Sequence, residues 1–309
     1  MNTDLGTSQE ARTALEHQLT KDIAVDFDAL FPQLTGPGVE KKNRKRVELL
    51  NNVAPVLEAA LHADETVQFV THGAVNLLLE QALLGPLAPF INGTTVVCTN
   101  LRLLLVHTSK GLPKSYINQV ARDAVEKTWF TRNGSLFIKL GSGSVVIGDV
   151  PWADKPILVQ QLHARAGGKE GKELLCPKCY AAYKTHTIEC PQCGATFKSP
   201  AVAARRSALI PGLGDFYLGY PVLALLEMCG ALAVWLSAVR EVVKNADALR
   251  TLIIALGIIL VTHGVDAALT YANGKKGLTA LDDELATGPK TAAPARQPQA
   301  HVPVPITPR

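Results

Sequence analysis

The chain has 309 residues, enough for two or three folded units, and a formal net charge of +4 at neutral pH. No basic stretch runs the length of a nucleic-acid groove, so charge alone does not force binding to a phosphate backbone. The 47% hydrophobic content is uneven and gathers in two runs between Pro221 and Tyr271, so a soluble part and a membrane part are expected.

Residues 1–38 carry only weak helical patterns and scattered charges such as Asp4, Glu10, Lys21 and Asp26. No apolar signal segment follows Met1, and a cytoplasmic N-terminal part is expected. The segment 39–63 opens on the basic run Lys41, Lys42, Arg44, Lys45 and Arg46. Apolar residues at helical spacing follow it, at Val47, Leu50, Val53, Leu57 and Leu61. Pro55 is expected to divide this helix. Cations at a helix start oppose its dipole, so the run is read as lying before the helix or as serving a partner. Its default is a solvated face; the sharper reading is contact with anionic lipid, or with a protein partner.

Over 64–168 the chain changes character. ETVQFVTHGA, TTVVCTN, RLLLVHTS, AVEKTWFT, SLFIKLG and SVVIGDV are short runs rich in Val, Thr, Ile and Phe, which predicts strands. Asn133 and Gly134 suit the left-handed positions of a two-residue hairpin, and Gly141 to Gly143 supply the next turn, so the last three strands should form a meander. A helix then closes the unit, with Asp154 as its cap, Pro156 in its first turn, and Ile157, Leu158, Gln161 and Leu162 on one face. The stretch VVCTNLRLLLVHTSKG, Val96 to Gly111, places Thr99, Arg102 and Leu103 in an (L/C)TxxRL pattern. It resembles the second and third strands of the bacterial pleckstrin-homology-like (PH-like) domain, a resemblance covering about one hundred residues. That resemblance implies an antiparallel β-barrel or sandwich with a C-terminal helix. It also implies recognition of lipid headgroups, peptides or further copies of itself, without catalysis. The apolar insert Ala74 to Ile91 departs from a plain strand order and is read as a helix on the barrel mouth or at the membrane surface.

Within 173–200, Cys176, Cys179, Cys190 and Cys193 form two C-x2-C pairs separated by ten residues. Two residues between thiolates let one tight turn present both sulfurs to one ion, and two such turns complete a closed tetrahedral shell. Zn2+ is the expected ion, with iron and disulfides as the alternatives. A closed shell is structural rather than hydrolytic. These residues resemble small prokaryotic zinc-ribbon modules, whose knuckles usually read CPxCG; Tyr180 stands where the first knuckle would have glycine. His186, between the knuckles, is read as a solvated loop residue. Lys178, Lys184 and Lys198 give only a thin basic surface, so nucleic acid is an unlikely partner. Cys98 and Cys229 stand alone in apolar surroundings and read as buried small hydrophobes, and the whole cysteine pattern fits a reducing compartment.

In 205–277, Pro221 to Val239 and Thr251 to Tyr271 are each near the roughly 20 residues needed to span a bilayer. The short polar connection between them predicts an antiparallel transmembrane hairpin. Lys198, Arg205, Arg206, Lys275 and Lys276 flank it, against Arg240, Lys244 and Arg250 in the connection. That bias predicts a multi-pass protein of the bacterial cytoplasmic membrane with both termini cytoplasmic. The lead-in SALIPGLGDFYLGYPVLALLEM, Ser207 to Met228, resembles the PGxG-x-x-Y-x-G signature of the two-transmembrane-helix domain family, over about seventy residues. Its Gly212, Gly214 and Gly219 permit tight turns or close helix approach, and Phe216, Tyr217 and Tyr220 suit the headgroup level. Glu227, His263 and Asp266 are expensive inside a span and are expected to meet there as a structural cluster or homo-oligomer contact.

Residues 283–309 are rich in proline and alanine and are expected to be disordered. No nucleophile, metalloprotease or P-loop pattern occurs, so catalysis is not expected. The expectation is therefore an α+β multidomain membrane protein: a PH-like unit, a four-cysteine zinc ribbon and a two-helix hairpin, acting as a cytoplasm-facing binding or scaffold protein. The alternatives are a membrane-tethered zinc-ribbon nucleic-acid binder and an oligomeric transporter subunit using Glu227, His263 and Asp266.

Overall fold

Alternation along the β-rich segment builds the centre of the molecule. In the computed structural model, which describes residues 3–19, 23–75, 92–109, 112–162, 171–244 and 247–281, seven strands follow one another. They are β1 (Val67–Val75), β2 (Gly93–Thr99), β3 (Arg102–Ser109), β4 (Leu112–Ala121), β5 (Val125–Phe130), β6 (Leu136–Leu140) and β7 (Ser144–Gly148). On β3, Leu103 and Leu105 face one apolar cluster while Leu104 and Val106 face another. A strand with apolar side chains on both faces must be covered on both.

One cover is made by β5–β7, which do form the expected meander, together with α4 (Lys155–Gln161), whose Leu158 is fully buried. The other is made by α1 (Thr3–Gln18), α2 (Phe27–Leu30) and above all α3 (Val39–Ala60), whose Leu50, Val53 and Leu57 have no exposed surface. Each such side chain contributes about 1.5–3 kcal/mol through burial.

Pro55 does not divide α3, which runs through it. Its ring is on the exposed side, while Val53, Ala54, Val56 and Leu57 hold the helix to the sheet. The turn between β5 and β6 also differs from expectation. It is a three-residue loop closed by Thr131 N–H to Ser135 O, in which Gly134 alone is left-handed and Asn133 is not.

Among the described residues the sheet has nine strands in the order β5-β6-β7-β1-β2-β3-β4-β8-β9, all paired antiparallel. The last two, β8 (Lys172–Leu175) and β9 (Ala182–Tyr183), carry the first cysteine knuckle on the sheet's edge. Beyond the second knuckle come α5 (Pro200–Leu209), α6 (Leu213–Leu218), and the long helices α7 (Pro221–Lys244) and α8 (Ala248–Gly274). The insert beyond Val75 and the tail 283–309 lie outside the described residues.

Both long helices are apolar enough to cross a membrane, and only 11% of each apolar window is buried. Leu225, Leu232, Leu236, Ile253, Leu260 and Val261 all point outward. A core helix of a soluble protein would bury most of such a surface. Cys229 is on this outward surface, not buried as expected, whereas Cys98 is in the core.

Candidate metal centre and hairpin root

The two knuckles fold alike. Cys176 N–H donates to Ala181 O and Tyr180 N–H to Cys176 O, both at 2.9 Å; Cys190 N–H donates to Ala195 O and Gly194 N–H to Cys190 O, both at 2.8 Å. The fifth residue of each turn is left-handed, Gly194 at φ 71° and Tyr180 at φ 58°. Tyr180 thus takes the backbone conformation that glycine usually fills, at a cost of about 1–2 kcal/mol, while its side chain packs against the α3 core.

The turns bring four sulfurs together: Cys176 and Cys193 Sγ lie 3.7 Å apart, Cys179 and Cys190 Sγ 3.5 Å. All four fall within 4.8 Å of one another. A tetrahedral ion with metal–sulfur bonds of about 2.3 Å separates its sulfurs by about 3.8 Å, so this group could hold a metal ion. Burial, and repulsion from a neighbouring thiolate, push the Cys176 thiol up to about 11 and Cys179 upward as well. A cation among the sulfurs reverses that preference, because it stabilises thiolates directly. Tyr183 Oη lies 3.0 Å from Cys190 Sγ. His186 is half-buried and is not one of the group.

The cluster is not an isolated bead. Its apolar core holds Leu174 from β8 and Leu278 from beyond α8, the latter fully buried. Lys198 N–H donates to Thr279 O and Leu281 N–H to Thr196 O, so the chain leaving the hairpin pairs with the chain leaving the second knuckle. Asn118 of β4 donates to Lys276 O, and Lys276 Nζ donates to Asn92, the residue just before β2. A Cβ on Gly277 would stand 2.3 Å from the Tyr116 ring, so only glycine lets this segment pass.

At the hairpin root the expected trio is rearranged. Glu227 and Asp266 do meet, but their third partner is Asp215 of α6, with ligand oxygens of the three within 4.8 Å of one another. His263 sits elsewhere: its Nδ1 is 2.9 Å from Ala208 O and its ring is 5.6 Å from that of Trp235. Asp215 accepts from Thr270 at 2.5 Å and from Asn273 at 3.2 Å, and Asp266 accepts from Gly212 N–H at 3.0 Å. Gly214 lets α6 lie against α5, since a Cβ there would be 2.1 Å from Ala203 O. Asp215 was missed because its partners come from α7 and α8, far along the chain; its place in the PGLGD lead-in was the available signal.

The basic run lies inside α3, not before it. Lys41, Lys42, Arg44 and Lys45 are exposed, and Arg44 pairs with Glu40 at 2.8 Å. Arg46 is no surface contact: it is 6% exposed, bonds Asp154 at 2.5 Å and lies over the Phe69 ring. Asp154 also accepts from Thr71 at 2.7 Å, so it occupies the N-cap position of α4 without capping it through its side chain.

Thr99 and Arg102 of the TxxRL pattern are likewise structural. Arg102 forks onto Glu65 at 2.8 and 2.9 Å and donates to Ala60 O and Gln119; Thr99 donates to Glu65 at 2.6 Å. Burial raises the Glu65 carboxyl, but hydrogen bonds from Arg102, Thr99 and His62 outweigh it and hold the group below its ordinary value.

No protein-family model matches the chain, and neither a curated protein nor a solved structure matches it.

Proposed function

We propose that this protein is a membrane-anchored binding or scaffold module of the bacterial cytoplasmic membrane, with α7 and α8 spanning the bilayer, both termini on the cytoplasmic side and the sheet facing the cytoplasm. The observation that carries this reading is the pairing of two long, outward-facing apolar helices with a root of cations on tyrosines. Arg206 and Lys198 lie over Tyr217, and Lys275 over Tyr271. Such residues suit the headgroup level.

Within this reading the two-layered sheet is a PH-like domain, the four thiolates hold Zn2+, and the exposed Lys41, Lys42 and Lys45 meet anionic headgroups. Direction supports the last assignment. The C-terminal end of α3 is tied to Arg102 at the β2–β3 turn, while Arg46 near its start is tied through Asp154 to Thr71, opposite Val96. The basic start of α3 therefore points toward the end of the sheet where Lys276 meets Asn92, the end that carries the hairpin.

The test uses the full chain. It should stay in membranes washed with alkaline carbonate, carry one zinc per chain by mass spectrometry, and enrich anionic lipid in nanodiscs assembled from a mixture. Lys41→Gln/Lys42→Gln/Lys45→Gln should abolish the lipid enrichment alone. Release by carbonate would refute the anchor, and unchanged enrichment in the triple variant would refute the lipid contact.

A further inference from the structure

Among the described residues, the carboxylates that are buried or, like Glu227, half-buried in contact with buried ones fall into two classes. Glu65 has Arg102, and Asp154 has Arg46. Asp215, Glu227 and Asp266 have no such partner: among the described residues no lysine, arginine or histidine forms an ion pair with any of them. Asp215 is 0% and Asp266 8% exposed, and their oxygens lie within 4.8 Å of those of Glu227. Three carboxylates so placed cannot all stay ionised, in a medium that screens them little, unless a proton or a cation lies between them.

Two further acceptors at the same place lack donors. Glu227 Oε2 is buried without a hydrogen-bond partner. Asn273 is 5% exposed; its Nδ2 touches Asp215 Oδ1, and its Oδ1, bonded to the same carbon, is likewise unpartnered. The donors that do enter the cluster, Thr270 Oγ1, Asn273 Nδ2 and Gly212 N–H, are all neutral. A pocket rich in oxygen acceptors and short of donors and cations is the chemical complement of a hard metal ion.

We propose that Asp215, Glu227 and Asp266, with Asn273 Oδ1, form a binding site for Ca2+ at the hairpin root. Calcium takes several oxygen ligands in irregular geometry, which suits oxygens brought from α6, α7 and α8, whereas magnesium demands a near-ideal octahedron. The site is separate from the four thiols, whose soft sulfurs do not select calcium. It ties α6 to both long helices, so the ion fastens the lead-in of the hairpin to its two spans. This inference does not depend on what the hairpin crosses.

The experiment uses the full chain in detergent, zinc-loaded and freed of calcium. Equilibrium dialysis with radioactive calcium should find one ion per chain, and saturating Ca2+ should raise the melting temperature by about 5 °C. Glu227→Gln and Asp266→Asn should each lose both effects. In calcium-free buffer Glu227→Gln should melt no lower than the parent, because the amide keeps the shape and puts no charge beside Asp215 and Asp266. A purely structural carboxyl would give the opposite, a lower melting point. Absence of calcium binding by the parent overturns the proposal, and so does binding that survives in both variants.

Discussion

The two ends of the sheet are closed by different chemistry. At the β2–β3 turn, Glu65 is buried with its counter-ion Arg102, and the pair bonds Thr99, Gln119 and the Ala60 carbonyl. At the hairpin end, four thiols crowd within a few ångströms and, as a separate group at the hairpin root, three carboxylates gather with no ion pair to a basic side chain among the described residues. The first end carries its own compensation and is complete once the chain has folded. The second is acceptor-rich, so under the proposals above its stability would be set by what the solution supplies.

Removing metal from the thiols should break this contrast most severely. Structural zinc sites contribute on the order of 10 kcal/mol, and an ion held by these four sulfurs would support a core shared with Leu174 and Leu278. Chelation, or Cys176→Ser with Cys190→Ser, should expose 172–198 and 276–281 to hydrogen exchange while leaving protection around Glu65 unchanged. Equal loss at both ends would show that the two are one cooperative unit.

Breaking the other end comes next. Arg102→Leu leaves Glu65 buried and unpaired and should cost about 3–5 kcal/mol, read as a lower denaturant midpoint with metal content intact. Gly277→Ala should cost about 1–3 kcal/mol, because the Tyr116 ring or the returning segment must move, and it should raise exchange only at the hairpin end. A normal exchange pattern in that variant would count against the close passage.

Acid offers the gentlest probe. The folded Glu65 carboxyl is held below its ordinary value, so its contribution is present above the unfolded pKa and fades as pH falls through the lower folded one. Stability measured from neutral to acid pH should therefore lose a component that Glu65→Gln lacks; identical pH slopes for the two proteins would remove Glu65 from the explanation.

Much of this was legible in the sequence where the signal is local. The alternation on β3, the long apolar runs and the C-x2-C pairs each state their structure within a few residues. What was hidden depends on distant partners. Nothing in KKNRKR says that Arg46 faces Asp154 while its neighbours face water. Pro55 reads as a helix break until the core that holds the helix on either side is known. β4 was overlooked because Pro113, Lys114, Asn118 and Gln119 blur its alternation. Asp215 reads as part of a glycine-rich lead-in, and Lys275 and Lys276 as flanking charges only, because the residues that give them further meaning lie on other helices and strands.

That short returning segment has a consequence for the order in which the protein is made. Leu278 belongs to the core around Cys176 and Cys190, yet a ribosome synthesises it only after both apolar helices have been produced. The cysteine knuckles therefore wait, half-finished, until both helices are made, and the last stitch, Lys198 to Thr279 and Leu281 to Thr196, can form only when α8 has brought the chain back beside them. A pair of helices that failed to bring Leu278 back would leave the knuckles without their buried leucine, so the packing of α7 with α8 is checked by the folding of the part that preceded it.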